Sequence, residues 1–96
     1  MHVLAIRIEL RLPDVRSLKA KRAVVRPIVD GARRRFAVAS AEVGAQDVWR
    51  RAELGFAAVS SSAHHVTEVV DQVERFVWSF PEVEVVSASR SWSEEP

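Results

Sequence analysis

The fold is decided by the first strand of the chain, residues 2–12, which reads HVLAIRIELRL. Apolar side chains stand at every even position from 4 to 12, and the charged residues Arg7, Glu9 and Arg11 fall between them. A period of two with one apolar face predicts a strand that is buried on one side only. Such a strand needs a cover for its apolar face, which the rest of the chain must supply.

The first cover is a helix over about residues 18–35, where apolar residues recur at helical spacing. Ser17 is its expected N-cap, because a serine hydroxyl accepts a hydrogen bond from an early helical N–H. Pro27 lies inside this segment, lacks an N–H and clashes with the preceding turn. We therefore expect a bent helix, with two short helices as the alternative.

The second cover is a helix that Ser61 or Ser62 caps and that Pro81 ends. Its apolar residues, from Val66 to Phe80, form the clearest amphipathic pattern in the chain. Three further runs are rich in strand-forming residues, namely residues 36–43, 52–60 and about 83–92.

The predicted order is therefore β-α-β-β-α-β. Right-handed crossovers place both helices on the same face of the sheet. We expect an α+β, ferredoxin-like βαββαβ sandwich, in which a four-stranded antiparallel sheet carries two helices on one face. Residues 1–96 form a single domain, and 93–96 are expected to be a flexible tail. The apolar periodicities predict one shared core that contains Leu4, Ile6, Ile8, Leu10, Leu54, Phe56, Val66, Val73, Phe76 and Val77.

Composition excludes several classes of protein. The chain has no cysteine, which rules out disulfides and thiolate metal sites. No apolar stretch approaches the roughly 20 residues that a membrane helix needs. The alternation that begins directly after Met1 is unlike a signal peptide. We expect a cytoplasmic protein without a membrane partner.

Charge is distributed unevenly along the chain. Residues 16–35 contain eight basic side chains against one acid, Asp30, whereas residues 61–96 contain seven acids against two arginines. At 100° per residue, a basic row flanks the apolar stripe of the first helix, formed by Lys19, Arg22, Arg26 and Arg33. Such a row can follow a phosphate backbone. The alternative is a solvated helix face with an Arg26–Asp30 pair at i,i+4.

Lys21 is exceptional, because its helical angle places it inside the apolar stripe. The favoured interpretation is a side chain that buries its stem and extends its ammonium into water from the start of the helix. A role in a binding site is the alternative.

Several short segments resemble the YlxP-like family, a bacterial family of unknown function. They are Ser17-Leu18-Lys19-Ala20-Lys21-Arg22, Arg35-Phe36, Ala41-Glu42-Val43, Gln46-Asp47, Arg51-Ala52-Glu53-Leu54-Gly55 and Pro81-Glu82-Val83-Glu84. The similarity covers nearly the whole chain in the right order. It implies a ferredoxin-like fold and a role linked to translation, because genes of the family in some bacteria adjoin those of translation initiation and ribosome maturation factors. It implies no activity, substrate or catalytic residue.

The uncovered face of the predicted sheet has no aromatic side chain at the outward positions of the first and third strands. RNA-recognition modules of this topology stack bases on such aromatics, so that mode is not expected. Small apolar residues such as Ala5 and Ala57 instead favour a homodimer through this face or an edge of the sheet.

Two tryptophans are candidates for protein interaction. Trp78 lies away from the apolar stripe of the second helix, and Trp49 lies in the connection between the second and third strands. An exposed tryptophan suggests a contact surface. The alternative for Trp78 is partial cover by Arg75 or by the C-terminal tail.

No residue pattern points to catalysis or to a metal. His64 and His65 are adjacent, so their side chains diverge by about 100° on a helix. Glu42, Asp47 and Glu53 flank the strand connection together with nearby arginines, which favours salt bridges over acid–base chemistry. We expect no enzyme, no cofactor and no small-molecule substrate.

Two functional hypotheses remain. The first is an RNA-binding accessory of the translation apparatus that uses the basic helix, with ribosomal RNA as its partner. The second is a non-catalytic module that dimerises and contacts a protein through Trp49 or Trp78. The salt dependence of RNA binding separates them, because neutralising phosphates makes affinity fall with salt.

Overall fold

The computed structural model describes residues 1–96 and contains four strands and two helices. In chain order they are β1 (His2–Arg11), α1 (Leu18–Phe36), β2 (Ala39–Gly44), β3 (Arg51–Ser60), α2 (Ala63–Trp78) and β4 (Glu84–Glu94). The strands form one antiparallel sheet in the order β2-β3-β1-β4. The predicted α+β, ferredoxin-like arrangement is therefore confirmed.

The alternation of β1 determines which side of the sheet is buried. Ile6 and Ile8 lie in the core, whereas Arg7 between them is exposed. Ile6 faces Phe56 and Ile8 faces Leu54 across the β1–β3 pairing. Helix α2 packs on β1 and β3, and α1 packs on β2 and α2. Because both helices cover the even-numbered face of β1, the opposite face stays open.

The predicted core is correct except at its rim. All of its members are buried apart from Phe76, which is only partly buried. The Phe76 ring packs edge-on against Phe36 and Phe80, with centroids 5.6 and 5.1 Å away. A Cβ on Gly31 would come within 2.8 Å of this ring, so α1 approaches α2 closely at that glycine. The ring fills the seam between the helices and stays partly exposed.

Helix α1 continues through Pro27 instead of dividing there. Proline removes the hydrogen bond to the carbonyl of Ala23, four residues earlier. Both residues are exposed, so water is available to that carbonyl. Ser17 is the N-cap and accepts from the Ala20 N–H at 3.0 Å, as predicted. The helix ends at Ala37, which adopts the left-handed conformation at φ 54°.

Strand β4 extends two residues into the segment expected to be a tail. Ser93 pairs with Val3, and Glu94 pairs with His2. Beyond the strand, Glu95 and Met1 exchange two hydrogen bonds between their backbone groups. Strand β4 therefore ends two residues later than the expected end at about residue 92, because β1 offers hydrogen-bonding partners down to its first residue.

Arg90 attaches β4 to α2. Its guanidinium lies 2.8 Å from a carboxylate oxygen of Asp71 and 2.9 Å from one of Glu74. Partial desolvation lowers the pKa of Arg90, but hydrogen bonds to Glu74 and Asp71 outweigh it, so the pKa is raised overall. Neither helix of the chain is sufficiently long and apolar to span a bilayer.

Candidate nucleic-acid interface

Three of the four members of the basic row of α1 line a shallow concavity on the outer face of the helix. Lys19, Arg22 and Arg26 line it together with Ala23 and Pro27. All five are exposed, and none of the three cations lies within 4.0 Å of a carboxylate. The expected alternative, an Arg26–Asp30 pair, does not form. Three cations therefore face solvent without an intramolecular counter-charge.

Arg33, the fourth member of the predicted row, is engaged elsewhere. Its guanidinium contacts Asp30 at 3.1 Å and donates to the backbone carbonyl of Ser40 at 2.7 Å. These bonds connect the C-terminal half of α1 to β2. The side chain is still about half exposed, at 53%. Arg33 thus has a structural role that helical spacing alone does not reveal, because the carbonyl to which it donates lies on another element.

Lys21 is buried, and the interpretation that its ammonium reaches water is wrong. Its side chain is 2% exposed. The ammonium nitrogen lies 2.8 Å from a carboxylate oxygen of Glu42 and donates to the carbonyls of Ala45 and Gln46 at 2.5 and 3.5 Å. A buried charge needs such compensation, because removal from water costs several kcal/mol. The β2–β3 connection provides it by folding over the lysine.

The connection itself, residues 45–50, is held at both ends. Lys21 binds the carbonyls at its start, and the Arg50 carbonyl at its end accepts from the Leu12 N–H at 2.8 Å. Within it, the Val48 N–H donates to the Ala45 carbonyl at 3.1 Å. Ala45 adopts a positive φ of 57°, a conformation that is uncommon for a residue with a Cβ. The loop is therefore ordered by a specific set of bonds.

Both candidate tryptophans are exposed. Trp49 is 49% exposed in the loop, and Trp78 is 60% exposed at the end of α2. The C-terminal segment does not cover Trp78. Glu95 is bonded to Met1 beside the first residue of β1, whereas α2 ends near the last residue of that strand. A third tryptophan, Trp92, is 44% exposed and packs on the His2 ring at 5.7 Å between centroids.

The acidic residues around the loop form ion pairs. Arg51 contacts Glu9 at 2.7 Å and Glu53 at 3.7 Å, while Glu42 pairs with Lys21. Of the predicted salt bridges with nearby arginines, the one of Glu53 therefore forms and none forms at Asp47. Glu42 pairs instead with a lysine on α1, which the loop sequence does not suggest.

The histidines make no cluster. His64 pairs with Glu68 at i,i+4, at 2.8 Å. No group of three His, Cys, Asp or Glu side chains is arranged to hold a metal ion.

The open face of the sheet forms a second concavity of about 540 Å³ that spans all four strands. Small residues such as Ala5, Gly55 and Ala57 form its floor, and Arg7 is the charged lining residue without an ion pair. Val43 leans over Gly55, where a Cβ would meet it at 2.9 Å. No aromatic side chain lies among the residues that line this face, apart from the buried Phe56.

Comparison with known proteins gives a family but no activity. Residues 3–90 match the family model described as "Protein of unknown function (DUF503)". The chain is 40% identical over 79 residues to the "Uncharacterized protein YlxP" of Bacillus subtilis (strain 168), an overlap of 82% of this chain and 86% of the relative. The family model covers most of the chain, and the resemblance seen in the sequence is confirmed: the chain belongs to the DUF503 family, of which YlxP-like proteins are members.

Proposed function

We propose that this protein binds RNA without catalysis, by placing Lys19, Arg22 and Arg26 against backbone phosphates. The observation that carries the proposal is the concavity on α1, where these three exposed cations lack any carboxylate partner. Paired cations would lose an existing ion pair on binding, whereas binding of these cations loses no ion pair and releases the counter-ions condensed on the RNA. The one acid on the helix, Asp30, is already paired with Arg33.

The expected mode is contact with the backbone, largely independent of sequence. The open face of the sheet offers no aromatic platform on which bases could stack. Phosphate contacts fix position and orientation but carry no sequence information. The resemblance to a family linked with translation genes makes structured ribosomal RNA the first RNA to examine, and a ribosome-associated accessory role follows from it.

Charge reversal tests the proposal. The variant Arg22→Glu/Arg26→Glu changes two exposed side chains without partners, so the fold should persist. A matched control, Arg7→Glu/Arg75→Glu, makes the same change in net charge at exposed arginines outside the α1 concavity. Binding of ribosomal RNA fragments, measured by fluorescence anisotropy, should be lost in the first variant and kept in the second. Equal affinity of both variants for RNA would overturn the proposal.

A second candidate function is homodimerisation through the open face of the sheet. The concavity of about 540 Å³ with its floor of small residues favours it, and so does Val59, which is 63% exposed on the same face. Uncovered apolar sheet faces commonly mark contact surfaces. The two functions do not conflict, because α1 lies on the other side of the sheet.

A further inference from the structure

Trp49 lies at the same end of the molecule as the start of the basic helix. The loop 45–50 is bonded at its beginning to Lys21 and at its end to Leu12. Both contacts fall in the segment 12–21, which also carries Arg16 and Lys19. The exposed indole therefore lies at the same end of the molecule as Arg16 and Lys19, which have no ion-pair partner.

The loop presents the indole in a preformed position. Five hydrogen bonds hold its six residues. Two come from Lys21, one from the Leu12 N–H and one from the Val48 N–H, and in the fifth the Gln46 side chain donates to the Glu42 carbonyl at 3.4 Å. A ligand that contacts Trp49 need not order the loop, which lowers the entropic cost of binding. Buried Lys21 acts here as a positioning residue.

The chemistry around Trp49 favours a nucleobase with its attached phosphate. Half of the side chain is exposed, and neither an aromatic ring nor an arginine covers its face. Arg50, the next residue, is an exposed cation without an ion pair; Asp47 is the one acid within the loop. Single-stranded nucleic acids are bound by this combination of aromatic platform and flanking positive charge. A paired base cannot offer its face, because its neighbours in the helix cover it.

We infer that Trp49 stacks on an unpaired nucleotide of the RNA whose phosphates the α1 cations hold. The inference rests on the proposed function and adds to it a preference for RNA with single-stranded or looped nucleotides over continuous duplex. The preference arises from stacking, so it does not depend strongly on the identity of the base.

The test compares Trp49→Ala with Trp92→Ala on two RNA probes of equal length, an unstructured strand and a fully paired duplex. Trp92 is a matched control, because it is similarly exposed and pairs with Leu4. With a rise of about 3.3 Å per residue, that position lies about 23 Å along β1 from Arg11. The control indole is therefore remote from the loop.

We expect Trp49→Ala to lose roughly tenfold in affinity for the unstructured strand and little for the duplex. Trp49→Phe, which keeps an aromatic face, should retain most of the wild-type affinity for the unstructured strand. Trp92→Ala should bind both probes as the wild type does. In a Trp78→Phe/Trp92→Phe background, the unstructured strand should quench the fluorescence of Trp49.

Two results separate the inference from the proposed function. If Trp49→Ala binds both probes as tightly as the wild type, the inference is wrong while RNA binding by α1 stands, and Trp49 is then free for a protein contact. If Arg22→Glu/Arg26→Glu binds both probes unchanged, the proposed function itself fails. An equal loss of affinity for both probes in Trp49→Ala would also overturn the inference, because losing a stack on unpaired bases cannot weaken binding to a duplex.

Discussion

Replacing Lys21 by methionine should destabilise the protein strongly, although the residue belongs to the most basic segment of the chain. Methionine keeps the apolar stem buried and removes only the ammonium. The change deletes the ion pair with Glu42 at 2.8 Å and the hydrogen bond to Ala45 at 2.5 Å. It leaves the Gln46 carbonyl without the lysine donor and the Ala45 carbonyl with only the Val48 N–H.

The size of the effect follows from those contacts. A hydrogen bond to a charged group contributes about 1.5–3 kcal/mol. Removing one partner of a fully buried pair costs about 3–5 kcal/mol. The Glu42 side chain is 25% exposed and regains water, which reduces that figure. We therefore expect a loss of about 2–3 kcal/mol in the free energy of unfolding, or about 10–20 °C in Tm for a domain of this size.

Urea unfolding followed by circular dichroism measures this loss, and Arg22→Met is the matched control. Arg22 is the neighbouring cation on the same helix but is exposed and unpaired, so its replacement should change stability by less than about 0.5 kcal/mol. A loss below about 0.5 kcal/mol for Lys21→Met would refute the reasoning, because it would mean that the ammonium is hydrated. Equal losses in the two variants would refute it as well.

Three further predictions concern the core, the edge strand and assembly. Ile8→Ala should cost about 2–4 kcal/mol in urea unfolding, because Ile8 is fully buried in the centre of the sheet; a cost below about half a kcal/mol would contradict the observed packing. Arg90→Met should cost about 1 kcal/mol or less, since its ion pairs with Asp71 and Glu74 are partly exposed, and the cost should shrink at high salt; a salt-independent loss would assign the effect to packing. Sedimentation should show a homodimer at high micromolar concentration that Ala57→Glu dissociates, and a monomeric wild type would exclude association through the open face.

Much of the fold is predictable because its periodicities are strong. The alternation in β1 and the helical spacing from Val66 to Phe80 each determine a buried face without reference to any other element. The core follows from them by convergence, and only Phe76 at the helix seam departs from it. Pro27 is different, because whether a helix survives a proline depends on whether water or protein surrounds the carbonyl that loses its donor.

The candidate site is less predictable because its decisive contacts join distant parts of the chain. Helical angles identify the free cations Lys19, Arg22 and Arg26, because side chains that lie off the apolar stripe of an amphipathic helix face solvent. They cannot show that Arg33 reaches Ser40 or that Lys21 reaches Glu42. The signal for Lys21 was its angle inside the apolar stripe, which indicates burial, and a buried ammonium requires a carboxylate or carbonyls from another element.

The salt dependence of RNA binding tests the central claim most directly. Affinity of the wild type for an unstructured ribosomal RNA strand is measured over a tenfold range of salt and compared with that of Arg22→Glu/Arg26→Glu. Three phosphate contacts predict a slope of about −2 for log K against log salt, so affinity should fall by about a hundredfold. The double variant should show no measurable binding at any salt concentration. A wild-type slope near zero, or the same slope and affinity in both proteins, would contradict an interface built on the free cations of α1.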